Sequence, residues 1–304
     1  MKLTLTSLLS LWLLAGGFAF GQGAGVSGGL TLIEAPGARP AALGQAYTAM
    51  QNDIGAMAYN PASLSSLSSG QMSFLYHRGI VDDAFGQFLV GAPTTNGAIG
   101  ISVGYYNGGS IDLVTGGSQH SVNAQTDLDA GFGYGRKWGP LSAGFTAKYI
   151  SSELAQTSKA HAFALDAGVD FPLNPRVSWG AAVQNLGTAL KFMDVGDPLP
   201  RIVRTGLAAT LGQAYRPVTL LVDLPYLLNE QKLRPGLGAE LGLSPIFLRA
   251  GYQSGSALEG LTLGMGFSLN RLTVDYSFGF VQRLNTNQRI SISLRFGAER
   301  QEAQ

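Results

Sequence analysis

The strongest constraint on this chain is a period-two alternation of apolar and polar residues that recurs from about residue 71 almost to its end. The stretch "QRISISLRFG", residues 288–297, carries it clearly: Ile290, Ile292, Leu294 and Phe296 fall on one face, Arg289, Ser291, Ser293 and Arg295 on the other. Successive side chains of a strand point to opposite faces, so such a segment offers one face to an apolar medium and one to polar groups. Fourteen segments of this kind are read, at roughly 71–78, 85–92, 97–105, 124–137, 140–150, 159–171, 176–185, 201–212, 217–224, 234–243, 246–252, 260–269, 272–280 and 288–297. The number is even, as single-chain bacterial membrane barrels require.

Two features separate a membrane barrel from a soluble sheet. The connections run about 6, 4, 18, 2, 8, 4, 15, 4, 9, 2, 7, 2 and 7 residues, so every odd one exceeds its neighbours, as in barrels with short turns on one side and longer loops on the other. The charges are sorted as well. Asp127, Asp129, Asp166, Arg204, Asp275, Arg289 and Arg295 all take the parity opposite to the large apolar side chains, and so do Lys148, Asp170, Asp223, Glu240 and Arg249. A lysine or arginine facing lipid at mid-depth costs about 2 to 4 kcal/mol, which explains the sorting: apolar side chains face lipid and charges face the lumen.

Composition agrees. Charged residues are 13% of the 304, and there are 42 glycines, about half and about twice the usual shares. Lys plus Arg (20) nearly balances Asp plus Glu (19), so no nucleic-acid partner is expected. Cysteine is absent, which excludes disulfides and thiolate chemistry. The start, "MKLTLTSLLSLWLLAGGFAFGQG", has the layout of a secretory signal cleaved after Gly21. The expected organisation is a signal peptide at 1–21, an N-terminal segment at 22–70, a barrel at 71–297 and a short periplasmic tail at 298–304.

Residues 22–70 do not alternate. "RPAALGQAYTAMQNDIGAMAYNPASLSSL" is alanine-rich, and Asn60 before Pro61 and Ala62 reads as a helix start, the asparagine capping free amides and the proline suiting the first helical position. Gly100, Gly104, Gly131, Gly133, Gly135, Gly144, Gly264 and Gly266 share the lumenal parity. Glycine there either eases strand curvature and bulges or leaves room for this segment as a plug, in which Arg39 is expected to pair with lumenal carboxylates because a desolvated arginine needs a partner.

The plug sequence resembles the N-terminal signature of the PorV/PorQ family, outer-membrane proteins related to FadL barrels. The matching residues are Gly37 to Arg39, Ala42 to Gly44, Ala46 with Tyr47, Asp53, Asn60 to Ala62 and Leu64, with Ser63 in place of the usual glycine. The similarity continues through "VQNLGTALKF", "DPLPRIVRTGLAATL", "FLRAGYQSG" and "RISISLRF". It implies an all-β, fourteen-stranded transmembrane antiparallel barrel in an outer membrane, with a partly helical plug inside. It also implies a role in type IX secretion or surface attachment, with a translocon or cargo protein as partner. The alternative within the wider group is a channel for hydrophobic small molecules.

On the secretion reading, loops 106–123 and 186–200 offer the partner surface, with Asn107, Asp112 and His120 as candidates, and the glycines of the first leave it without one rigid fold until a partner orders it. The channel reading needs an apolar pocket between plug and wall or a gap between strands. No catalytic residue, cofactor or metal site is expected. Gly25-x-Ser27-x-Gly29 matches a nucleophile elbow, and Gly23-x-Gly25-x-x-Gly28 a dinucleotide fingerprint, only by pattern, without the strand and helix either needs. His77, His120 and His161 lack metal-ligand spacing and are expected at rims or loops.

Overall fold

The computed structural model describes residues 26–79, 82–115, 118–194, 196–213, 215–255, 260–280 and 287–299. The expected signal peptide and residues 300–304 of the expected tail lie outside the described residues. Among the described residues, fourteen antiparallel strands close into a transmembrane barrel. They are β1 (Gly70–Arg78), β2 (Ala84–Thr94), β3 (Gly97–Asn107), β4 (Gln125–Trp138), β5 (Leu141–Leu154), β6 (Ser158–Asn174) and β7 (Val177–Gly187). The second half is β8 (Ile202–Gln213), β9 (Arg216–Asp223), β10 (Gly236–Leu243), β11 (Ile246–Gln253), β12 (Gly260–Leu269), β13 (Leu272–Gly279) and β14 (Asn287–Phe296). Each pairs with its chain neighbours, and β14 closes on β1 from Gly70↔Phe296 to Arg78↔Gln288.

All fourteen expected segments are strands, with ends shifted by a few residues. The connections are sorted more sharply than the sequence reading had them: 95–96, 139–140, 175–176, 214–215, 244–245 and 270–271 are two residues each. These define the inner end of the barrel, and the longer connections define the outer end. Burial follows the alternation. Ile290 and Ile292 are each 47% exposed, whereas Arg289 is 7% and Ser291 3% exposed. Aromatic side chains crowd both ends of the outward face, Tyr134, Trp138 and Trp179 at the inner end and Tyr76, Tyr105 and Tyr252 at the outer end, where amphipathic rings suit a membrane interface.

Residues 26–69 fill the lumen. Their helical pieces are short: 3-10 turns at Leu30–Ile33, Ile54–Ala58 and Pro61–Ser66, and a single-turn helix α1 at Ala38–Ala42. Two have side-chain caps. Asp53 accepts a hydrogen bond from the Gly55 amide at 2.7 Å, and Asn60 from the Ala62 amide at 3.1 Å with Pro61 in first position, as the sequence implied.

Lumenal glycines let the plug backbone lie directly on the wall. Met57 and Leu64 pack against Gly100 and Gly133, the Pro61 carbonyl faces Gly144, Leu43 and Gly44 lie over Gly238 and Gly251, and Ala42 meets Gly264. Gly104, Gly131 and Gly266 serve a different end, making room for the wall's own Asp129, Ser102 and the Asp275 and Arg249 pair.

Two loop expectations are corrected. Loop 106–123 folds without a partner: Ser110–Thr115 and Ser118–Asn123 form a hairpin that prolongs the β3–β4 ladder, with Gly108 and Ala124 as connecting hydrogen-bond donors. The pairing, from Ser110↔Asn123 to Val114↔Gln119, outweighs the freedom of the glycines. Loop 186–200 is free surface only in part, with Met193 78% exposed. It carries a small bridge, Leu190–Lys191 to Gly196–Asp197, and turns inward so that Leu190 and Leu199 are buried with Ile150, Ala160, Ala162 and the plug's Leu32. Burial of two leucines drives this, at about 1.5 to 3 kcal/mol each.

Candidate functional site

The plug is joined to the wall by a run of alternating charges. Arg39, on α1, places Nη1 2.6 Å from Asp53 of the plug and Nη2 2.6 Å from Glu240 of β10, with Nε donating to Glu240 at 2.8 Å. Glu240 also accepts from Arg249 of β11 at 2.6 Å, and Arg249 donates on to Asp275 of β13 at 2.6 Å. Glu240 and Arg249 face each other across the β10–β11 ladder, so the wall part of the run is a lateral cross-strand pair that strand register holds in place. The Tyr47 hydroxyl donates to Asp53 at 2.9 Å.

The other expected lumenal charges lie where parity put them, with one correction. Asp166 pairs with Lys148 at 2.6 Å and accepts from the Asn185 amide, at a bulge in the β6–β7 pairing. Arg204 lies over the Tyr59 ring at 4.9 Å. Asp127 accepts from Gln125 and Ser152, and Arg289 donates to Glu34 of the plug at 2.6 Å. Asp223, beyond those, accepts from the Tyr47 and Thr48 amides. Arg295 has the lumenal parity but is exposed, because it sits in the last turn of β14, at the inner rim. Asn60 does more than cap: its Nδ2 donates to the Thr48 and Val169 carbonyls and to Asp170, each at 3.0 Å.

Spaces remain around the plug, one of about 30 Å3 between Ala41, Gly44 and Gln45 and the wall at Gln253, Thr262 and Ser277. At the outer end, a cavity of about 390 Å3 lies between the first plug turn, the wall and the infolded loop, with Leu30, Phe85, Tyr106, Leu190 and Phe192 among its lining. Below it a pocket of about 30 Å3 is pinched between Met57, Leu89, Asp129 and Lys148. At the inner end a polar cavity of about 600 Å3 is bounded by Arg39, Gln51, Asp170 and Arg176. The outer and inner cavities share no lining residue, and the plug stands between them.

His77 is a second correction. It is buried on the lumenal face of β1 and lines the outer cavity, because its parity matches Gln71 and Ser73. His120 and His161 are exposed. Among the loop candidates, the Asn107 side chain accepts from the Gly109 amide at 3.0 Å, a turn contact, while Asp112 accepts from Gln119 within the hairpin at 2.8 Å. Ser27, the serine of the elbow-like pattern, accepts from Asn229 at 3.0 Å. Glu34, Phe85, Tyr106, Phe192 and Asp197 line the outer cavity and were not foreseen. Period two placed Phe85 on the lumenal face, but nothing in sequence said which lumenal positions the plug leaves uncovered.

A barrel plugged by its own N-terminal segment is a recognisable architecture. The fold is similar to that of FadL-like outer-membrane barrels. The Pseudomonas putida toluene transporter TodX superposes with a TM-score of 0.62 at 14% identity, covering 86% of this chain and 97% of that one. The Ralstonia pickettii toluene transporter TbuX gives 0.61 at 14%, covering 86% and 98%. A Pseudomonas aeruginosa FadL homologue gives 0.59 at 11%, covering 87% and 99%. Neither a scan of protein-family models nor a comparison with curated proteins finds a match, so the PorV/PorQ resemblance has no support beyond its motifs.

Proposed function

We propose that the chain is an outer-membrane channel for hydrophobic small molecules. The observation that carries this is the outer cavity: at the end facing the medium the plug, the wall and the infolded loop bound a space where Leu30, Phe85, Leu154, Leu190 and Phe192 offer an apolar surface beside the carboxylates of Glu34, Asp83, Asp127 and Asp197. The toluene transporters TodX and TbuX share its fold, and the packing of Leu190 and Leu199 turns part of one of the two loops of the secretion reading inward.

A solute entering from outside is desolvated against Leu30, Phe85 and Phe192 and meets the first plug turn as the floor. Going further requires residues 26–34 to shift. Their polar ties are few: the Gly28 amide to the Pro198 carbonyl at 3.0 Å, Asn229 to Ser27 at 3.0 Å, and Arg289 to Glu34. The deeper plug, held by Asn60 and the Arg39 charges, stays in place while this lip moves.

One observation favours the secretion reading. The hairpin at 110–123 presents Val114, 73% exposed, and Ile111 to the medium, an apolar contact a partner protein would cover. Uptake of a labelled monoaromatic hydrocarbon by cells with an otherwise tight outer membrane tests the choice. Faster uptake with the chain than with an empty vector supports the channel, and equal rates sink it.

A further inference from the structure

We propose that the inner rim of the barrel gathers anionic phospholipids, with Arg136 and Arg216 each holding a headgroup phosphate. This goes beyond the channel reading and does not depend on what the lumen carries. The two ends of the barrel treat their exposed cations differently. At the outer end carboxylates are interspersed with them: Arg78 pairs with Asp82 at 2.7 Å and Lys159 with Glu153 at 3.2 Å. At the inner end Arg136, Arg176, Arg216, Arg271 and Arg295 are exposed, and none of them is in an ion pair among the described residues. Of the carboxylates at this end, Asp170 and Asp275 are buried in the lumen, Asp53 is paired with Arg39, and Glu299 lies beyond β14.

Two of these arginines stand on the lipid side. Arg136 shares the parity of Phe132 and Tyr134 on β4, and Arg216 that of Leu220 and Val222 on β9. Both lie at strand ends, Arg136 two residues before the end of β4 at Trp138 and Arg216 as the first residue of β9. There the hydrocarbon gives way to headgroups, and a long side chain reaches the polar layer while its stem stays in the apolar one. Each guanidinium lies over an exposed aromatic ring, Arg136 over Trp138 at 5.4 Å and Arg216 over Tyr215 at 5.9 Å. Such rings settle at the membrane interface, so the stacking holds the guanidinium at the depth of the phosphates. Neither side chain has a protein acceptor among the described residues, and the planar fork of a guanidinium matches two phosphate oxygens. Charge favours an anionic lipid as the occupant, because a zwitterionic headgroup brings its own cation to a rim already rich in them.

The test uses the full chain in phosphatidylcholine bilayers containing phosphatidylglycerol, with Trp12 and Trp179 replaced by phenylalanine so that Trp138 alone emits. Quenching of Trp138 is compared with the bromine label on one lipid and then on the other. The anionic lipid should be favoured beside Trp138 by about fivefold. Arg136→Gln, checked for folding by heat-modifiable mobility, should bring the two lipids to parity, and Arg136→Lys, which keeps the charge without the fork, should keep part of the preference. Arg216→Gln, at a different place on the rim, should leave Trp138 as it was. Equal quenching by the two lipids in the starting chain, or a preference that Arg136→Gln does not reduce, overturns the proposal. So does a loss in Arg216→Gln as large as that in Arg136→Gln, which would mean diffuse attraction in place of a phosphate held at Arg136.

Discussion

Arg39 grips both oxygens of Glu240, Nη2 to Oε1 at 2.6 Å and Nε to Oε2 at 2.8 Å, and so ties α1 of the plug to the barrel wall. The pair is bidentate and set in a longer run with Asp53, Arg249 and Asp275. Arg39 is half-buried, and if the pair is broken from one side Glu240 keeps Arg249 and Arg39 keeps Asp53, so the cost falls below the about 3 to 5 kcal/mol of an isolated buried pair. Arg39→Met should still raise hydrogen exchange of the amides at 37–48, and Glu240→Gln should do so too. The double variant should exchange more slowly than the sum of the two effects requires, since neither partner is then stranded. Strict additivity would show that Arg39 and Glu240 do not act together.

The seat of the plug on glycine makes a steric prediction. A Cβ on Gly144 would lie 2.5 Å from the Pro61 carbonyl oxygen and 2.8 Å from the Ala62 nitrogen, both backbone atoms that cannot rotate away. Gly86 faces outward, and a Cβ there would come only within 3.8 Å of the Leu75 carbonyl. Gly144→Ala should lower the thermal midpoint by the equivalent of about 1 to 3 kcal/mol, the usual range for overpacking. Gly86→Ala should leave it nearly unchanged. The same loss at both positions would mean that curvature, not plug contact, explains the lumenal glycines.

Parity can be tested at adjacent residues of β14. Ile292 faces lipid, and Ser293 faces inward, where its hydroxyl donates to Ser73 at 3.1 Å. Ile292→Arg places a guanidinium in lipid at about 2 to 4 kcal/mol and should cut the folded, heat-modifiable band recovered from the outer-membrane fraction. Ser293→Arg opens toward the inner rim beside Arg295 and should assemble well. If Ser293→Arg proved the more damaging, the register would be inverted.

Much of this was legible in sequence because it follows from local rules. Period two put Arg289 and Ile290 on opposite faces, and the Asn60-Pro61 pair announced a capped turn. The need of a buried arginine for a partner placed Arg39 inside. What escaped depends on contacts distant in sequence. Leu190 and Leu199 sit in a loop of mixed composition, and their burial depends on Ile150, Ala160 and Ala162 of the wall and on the plug's Leu32, some 160 residues away. The outer cavity is likewise a remainder, the volume that plug, wall and loop leave between them, and no single segment encodes it.

The infolded loop decides between transport and partner capture, because the two readings depend on different loops. Transport depends on the packing of Leu190 and Leu199, which walls the outer cavity, while secretion depends on the hairpin that exposes Ile111 and Val114. Leu190→Ser with Leu199→Ser removes two buried leucines, at about 2 to 5 kcal/mol each for changes of this kind, enough to release a loop held by few other contacts. The barrel strands keep their own hydrogen bonds, so assembly should persist. Uptake of a monoaromatic hydrocarbon should then change severalfold, while replacing 110–123 by a two-residue turn leaves it as it was. The opposite pattern, with hydrocarbon uptake indifferent to the leucines and display of surface proteins lost with the hairpin, would return the chain to the secretion reading.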